Sequence, residues 1–140
     1  MTASRPLPPG IAPVFDGYPA PVRACHMQVR DMILTLACDL DAGPIDETLK
    51  WGQPAYLNTK RKTGTTLRLG WPRKTPERAG VYVHCQTSLV SDFRARQGTG
   101  FDFDGTRGIL LETDRPLPEG PLAAFLSQAL TYHRNTNTHG

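Results

Sequence analysis

The chain changes from helix to sheet at the stretch Leu49-Lys50-Trp51-Gly52-Gln53-Pro54-Ala55-Tyr56-Leu57. Glycine and proline at its centre predict two short strands, over 48–50 and 55–58, on either side of Gly52-Gln53-Pro54. Because Pro54 has no N–H to donate to a ladder, the sequence predicts an edge strand or a bend here. The stretch also brings together a tryptophan, a tyrosine, an amide and a cation, so it is the first candidate for a binding surface.

Upstream of this stretch, the apolar residues recur with helical spacing from Pro21 to a stop at Gly43-Pro44. The predicted apolar face consists of Val22, Cys25, Val29, Met32, Ile33, Leu36 and Leu40. The residues predicted to point away from it are Arg23, His26, Arg30, Asp31 and Thr35. Burying this face is worth roughly 10 to 20 kcal/mol gross, so the helix is a core element. A thinner stripe on its far side contacts either another helix or a second subunit, and the chain is expected to be a monomer or a weak homodimer.

Downstream, strands follow one another without crossover helices. Alternating apolar residues predict strands over 65–71 and 80–86, and a short helix then ends at Gly98. A hairpin turns at Asp104-Gly105, and an amphipathic helix closes the chain. The sequence therefore predicts an α+β fold in which an antiparallel or mixed sheet of about five to six strands packs against N- and C-terminal helices. The short helix is inserted before the last hairpin.

Length and composition are typical of one globular domain. The chain has 140 residues, of which 39% are hydrophobic and 21% charged. We predict an extended proline-rich arm over 1–12, a single domain over 13–134 and a frayed tail over 135–140. There is no apolar run near 18 residues and no signal-peptide core, so the expected location is the cytoplasm, with no membrane partner.

The basic charge is concentrated in one part of the sequence. Residues 50–78 contain eight Lys or Arg and a single Glu, although the whole chain has a formal charge of only +3. A basic segment of this kind is either a solvated face or a surface that attracts nucleic acid or an anionic ligand. The candidate anion or nucleic-acid contacts are Lys60, Arg61, Lys62, Arg73 and Lys74.

The sequence contains no recognisable catalytic set, so no enzyme activity is predicted. His84 and Cys85 are adjacent in a predicted strand, and their side chains should point to opposite faces. There is no Gly-x-Ser-x-Gly elbow, no two-glycine phosphate loop and no cysteine pair with metal-ligand spacing. We predict no catalytic residue, no metal site and no cofactor.

The leading functional hypothesis is a small binding or chaperone-like module for an unknown small molecule or protein. Its ligand would lie in a polar and aromatic groove floored by the sheet. The candidate ligand contacts are Lys50, Trp51, Gln53, Tyr56, Arg68, His84, Gln86, Arg94 and Arg107. The first alternative is electrostatic binding of nucleic acid or an anionic ligand through the basic 60–78 segment.

Five motifs spread along the chain resemble those of the YdhG-like family. They are Phe15-x-x-Tyr18-Pro19-x-x-Val22-Arg23, the run Glu47 to Pro54 followed by Tyr56, the run Gln86 to Val90 followed by Phe93-Arg94, Phe103-x-Gly105-x-Arg107-x-Ile109, and Ala129-Leu130-x-Tyr132-His133. The resemblance implies a compact domain with an antiparallel sheet and terminal helices. Some members are described as frataxin-like iron chaperones, so it also implies iron binding as a further alternative.

Overall fold

The computed structural model describes residues 6–84, 87–97 and 101–133 of the chain. The helices are α1 (Ala12–Asp16), α2 (Ala20–Asp39), α3 (Leu89–Gln97) and α4 (Glu119–Leu130). The strands are β1 (Asp46–Lys50), β2 (Gln53–Leu57), β3 (Leu67–Gly70), β4 (Arg78–Tyr82), β5 (Asp102–Asp104) and β6 (Gly108–Glu112). All neighbouring strands are antiparallel, in the spatial order β1-β2-β3-β4-β6-β5. The predicted α+β fold class is confirmed.

Helix α2 buries a face that is rotated relative to the predicted one. Its buried residues are Val22, Cys25, His26, Val29, Arg30, Ile33 and Ala37. Met32, Leu36 and Leu40 are only partly buried. The prediction was wrong for His26 and Arg30, because both polar side chains find partners inside the protein. The His26 Nε2 atom lies 2.7 Å from the carbonyl oxygen of Gly70, and Arg30 pairs with Glu47.

Strands β1 and β2 form a tight hairpin with a two-residue turn. Trp51 and Gly52 have φ angles of 56° and 74°, the positive values that a type I′ turn requires. Lys50 and Gln53 close the turn as partners, and Leu49 is paired with Pro54. Because narrow and wide pairs alternate along an antiparallel ladder, Leu49 and Pro54 are a pair without mutual hydrogen bonds. Pro54 therefore lies inside β2, an interior strand, and the predicted edge or bend at this residue was wrong.

The other side of Pro54 faces β3. The β2–β3 ladder begins with Ala55 opposite Arg68, and continuing this register brings Pro54 level with Leu69. The proline cannot donate to the Leu69 carbonyl, which instead accepts a 2.8 Å hydrogen bond from the Tyr18 hydroxyl. The segment between α1 and α2 thus satisfies the group that Pro54 leaves unpaired.

The helices pack on one face of the sheet. The core cluster combines buried helix residues with one alternating set of strand residues, namely Tyr56, Leu67, Leu69, Ala79, Val81, Ile109 and Leu111. Ala55 and Tyr82, whose side chains point to the other face of the sheet, are not part of this cluster. In the part of the chain that the structure describes, no helix has both the length and the apolar character needed to cross a bilayer.

Candidate functional site

A row of paired residues crosses the sheet on the face opposite the core. Arg68 of β3 pairs with Ala55 on one side and with Tyr82 on the other. Tyr82 in turn pairs with Gly108, which is paired with Asp104 at the far edge. Directly opposed residues of an antiparallel sheet share a face, so these side chains lie together on the outer face.

The Tyr82 ring lies over three glycines. A Cβ built on Gly70, Gly80 or Gly108 would come within 2.7 Å, 2.5 Å and 2.5 Å of ring atoms, respectively, which is closer than real Cβ contacts allow. Glycine at these strand positions leaves room for the ring to lie close to the backbone. The result is a flat aromatic floor that is only 5% exposed.

Polar and cationic groups surround this floor. The Arg68 Nη1 atom donates a 2.9 Å hydrogen bond to Gln53 Oε1. The Tyr82 hydroxyl donates to Asp104 Oδ2 at 3.1 Å, and Arg107 forms an ion pair with the same carboxylate at 3.5 Å. The guanidinium carbons of Arg68 and Arg107 lie 5.6 Å and 6.0 Å from the centre of the Tyr82 ring. Burial, reinforced by Asp104, raises the pKa of Tyr82 to about 12, so its hydroxyl remains a neutral donor.

The loop after β3 forms the remaining wall. Trp71 Nε1 donates to the Pro76 carbonyl at 3.0 Å, and the Thr75 N–H donates to the Pro72 carbonyl at 3.1 Å. This turn presents Arg73 and Lys74 to solvent. Among the described residues, neither cation forms an ion pair.

Together these elements enclose an open groove of about 530 Å³. Its charged lining consists of four cations and one carboxylate, and its lining residues are Gln53, Arg68, Trp71, Pro72, Arg73, Lys74, Thr75, Tyr82, Phe103, Asp104, Arg107 and Leu110. A cavity of this size is in the range of small-molecule sites. The excess of positive charge around this groove suits an anion.

Five of the residues singled out in the sequence lie in this groove: Gln53, Arg68, Arg73, Lys74 and Arg107. Lys50 and Trp51 lie on the neighbouring hairpin outside its lining, and Trp51 is 88% exposed. His84 is exposed beyond the end of β4. The predicted contact Gln86 lies outside the described residues, as does Cys85.

Two further predicted contacts, Tyr56 and Arg94, lie away from this groove. Tyr56 is fully buried on the core face, where its hydroxyl donates to Glu47 Oε2 at 2.5 Å. Arg94 lies on α3, with its guanidinium 4.4 Å from the centre of the Phe103 ring and its Nη2 bonded to the Gly105 carbonyl. Arg94 is not among the residues that line the groove.

The basic segment divides into two separate parts. Strand β3 runs between them, with the 58–66 loop at its beginning and the 71–77 loop at its end. The first loop holds Lys60, Arg61 and Lys62 and is tied to α4 through a hydrogen bond from the Thr65 N–H to the Ala129 carbonyl. Arg61 also forms an ion pair with Asp41 at 3.3 Å. The 60–62 cations are therefore not part of the groove, and the 60–78 segment does not form one continuous patch.

The candidate contacts predicted from the sequence do not include Tyr82, the floor of the groove, or its partner Asp104. The sequence pattern that indicates Tyr82 is the alternation of β4, which points its side chain away from the core, together with a glycine two residues earlier at Gly80. Gly70 and Gly108 lie beneath the same ring because the strand register places them beside Gly80. That register cannot be read from the sequence.

Among the described residues, no group of three or more His, Cys, Asp or Glu side chains is positioned to hold a metal ion. Iron prefers oxygen and imidazole donors that converge on one point. The donor set in this part of the chain does not fit an iron site.

No family model matches the sequence, and no curated protein sequence matches it. Among solved structures, the chain is similar to the crystal structure of a DUF1801-family protein, YdhG from Bacillus subtilis, with a TM-score of 0.58 and 14% sequence identity. The match covers 93% of this chain and 91% of that chain. At this identity the likeness concerns the fold, and the resemblance to YdhG-like proteins is confirmed at that level.

Proposed function

We propose that the protein is a binding module for a small anion with phosphate or carboxylate groups, which it holds in the groove over Tyr82. The observation that carries this proposal is the convergence of four cations from three segments on one groove with a single carboxylate. Arg68 comes from β3, Arg73 and Lys74 from the following loop, and Arg107 from the turn before β6.

The groove supplies the kinds of contact that such a ligand needs. Arginine offers a planar set of donors that matches phosphate and carboxylate oxygens, and the Gln53 amide adds a further polar group. The Arg68 guanidinium lies over the Tyr82 ring and is half-buried, which strengthens its attraction for an anion, whereas Arg107 is exposed. Binding in this form requires no bond-making step.

The size of the groove and the arrangement of the basic loops favour a small ligand over a nucleic acid. A duplex needs a track of cations along its phosphate backbone. Here the 60–62 cations and the 73–74 cations lie at opposite ends of β3. A compact anion needs only the second group together with Arg68 and Arg107.

Isothermal titration with inorganic pyrophosphate and with citrate tests the proposal. We expect at least one of the two to bind the wild-type protein, and Arg107→Gln or Arg68→Gln to weaken that binding at least tenfold. Lys74→Gln should weaken it less, because a lysine ammonium is a single point charge whereas a guanidinium offers paired donors to the anion. The matched control is Lys60→Gln, which removes an exposed lysine at the other end of β3 and should leave the affinity unchanged. Equal losses in Lys74→Gln and Lys60→Gln would point to general charge attraction and contradict the proposal.

A further inference from the structure

Strand β1 is an outermost strand of the sheet and has one unpaired side. Because Lys50 and Gln53 close the type I′ turn as a hydrogen-bonded pair, Asp46, Thr48 and Lys50 direct their backbone groups toward β2. The N–H and C=O groups of Glu47 and Leu49 therefore point outward. Within the described residues, no other segment forms a backbone hydrogen bond with this side of β1.

The same edge carries exposed apolar side chains. Among the described residues, Leu49 and Trp51 are the only large hydrophobic residues classed as exposed, at 41% and 88%. Leu49 is in β1 and Trp51 directly follows it. An unpaired strand edge beside exposed apolar side chains is a surface suited to pairing with another strand.

We propose that two copies of this chain pair through β1, antiparallel, about a two-fold axis at Thr48. In this register Glu47 of each copy is opposite Leu49 of the other, and their outward backbone groups form the new hydrogen bonds. Asp46 of one copy is then opposite Lys50 of the second copy, twice over because the axis repeats the pair. Two-fold pairing of one surface with itself closes the assembly at a dimer.

The side chains at this edge match that register. Both hydrogen bonds to Asp46 from Thr59 go to Oδ2, and Oδ1 accepts none from the described residues. Opposite charges directly across an antiparallel pair stabilise it. At each end of the interface, Trp51 of one copy is level with the half-buried Ile45 of the second copy, which gives the exposed indole an apolar neighbour.

Other registers fit less well. A shift of one residue would set outward backbone groups against inward ones, which breaks the ladder. A shift of two residues in either direction keeps the hydrogen bonds but separates Asp46 from Lys50. The Thr48-centred register is thus the one that satisfies both the backbone and the charges.

Sedimentation velocity of the wild-type protein over a concentration series, together with two charge variants, tests the pairing. Lys50→Glu makes both ends of the interface acidic, and Asp46→Lys makes both ends basic. We expect the wild type to shift from the monomer to the dimer sedimentation coefficient, and each variant alone to remain monomeric. An equimolar mixture of the two variants should regain the dimer, because the two acidic ends of one variant then face the two basic ends of the other. Circular dichroism checks that both variants are folded.

A backbone variant provides an independent test. Leu49→Pro removes an outward N–H without disturbing the β1–β2 hydrogen bonds, so the protein should stay folded and lose the dimer. Amide exchange measured residue by residue should show protection of Glu47 and Leu49 increasing with protein concentration, whereas Thr48 and Lys50 are protected throughout. A wild type that stays monomeric at the highest concentration would overturn the proposal, and so would a dimer that survives Leu49→Pro.

Discussion

His26 shows how a single buried residue links the protein's stability to pH. It is fully buried on α2, and its Nε2 atom lies 2.7 Å from the Gly70 carbonyl. Burial lowers the pKa of His26 to about 4 from its usual value of 6.5. The folded protein therefore keeps a neutral imidazole at pH values where the unfolded chain has already bound a proton.

Between pH 6.5 and pH 4 the unfolded state binds more protons at His26, so the free energy of unfolding should decrease as the pH falls through this range. The His26 contribution lost is on the order of 3 kcal/mol. In His26→Gln, which can still donate to the Gly70 carbonyl, this contribution should be absent. Urea unfolding at a series of pH values measures the difference between the two proteins. Parallel profiles for wild type and variant would show that His26 does not titrate in this way.

The three glycines beneath the Tyr82 ring, Gly70, Gly80 and Gly108, are a second constraint at the scale of single residues. In Gly80→Ala the new Cβ would lie 2.5 Å from the Tyr82 ring, and the displaced ring should cost about 1–3 kcal/mol of unfolding free energy. Gly10→Ala is the matched control, since its Cβ meets nothing within 4 Å. Thermal or urea unfolding gives both values. The cost of Gly80→Ala should largely disappear in a Tyr82→Ala background; a cost that persists would place its origin in the backbone.

At the scale of elements, a buried ion pair joins α2 to the β1–β2 hairpin. Arg30 donates from Nε to Glu47 Oε2 at 2.5 Å and from Nη2 to Glu47 Oε1 at 3.0 Å. The Tyr56 hydroxyl donates to the same carboxylate, and Arg30 also reaches the Pro6 carbonyl at 2.9 Å. The hydrogen bond to Glu47 raises the pKa of Arg30, and burial followed by the bond to Glu47 raises that of Tyr56. The ion pair between Arg30 of α2 and Glu47 of β1 is thus stabilised by further hydrogen bonds from Tyr56 of β2 and to the Pro6 carbonyl.

Removing Glu47 should be far more damaging than removing an exposed carboxylate. Glu47→Ala leaves the Arg30 guanidinium buried without its counter-ion, at a cost of about 3–5 kcal/mol. Tyr56→Phe removes one hydrogen bond to a charged group and should cost about 1.5–3 kcal/mol. The control is Asp114→Ala, which breaks the exposed pair with Arg115 and should cost at most about 1 kcal/mol. Urea unfolding ranks the three variants, and similar costs for Glu47→Ala and Asp114→Ala would contradict this account.

The sequence predicts the order of the main helices and strands but not which face of α2 is buried. Apolar periodicity identifies the helix correctly. It assigns His26 and Arg30 to solvent because the sequence does not show which polar side chains have a buried partner. Their partners, Gly70 and Glu47, are distant in sequence. Pro54 was misplaced for a similar reason, since the Tyr18 hydroxyl that replaces its missing donor comes from another segment.

At the scale of the whole molecule, the sheet separates two environments. One face is covered by the helices and forms the core, and the other carries the groove over Tyr82. The basic residues that are close in sequence become separated because β3 carries the chain from one end of the sheet to the other. Arg107, which is distant in sequence, joins Arg68 through the strand register. Composition could indicate a cationic surface, but only the topology determines which cations share it.

The most direct test of the anion-binding groove is to locate the binding of pyrophosphate by residue-level NMR titration of the wild-type protein. The expected result is a saturable shift of the amide and side-chain signals of Gln53, Arg68, Tyr82 and Arg107, with the signals of the 60–62 loop unchanged. Shifts centred on the 60–62 loop, or no saturable shift at the groove with either pyrophosphate or citrate, would contradict the account.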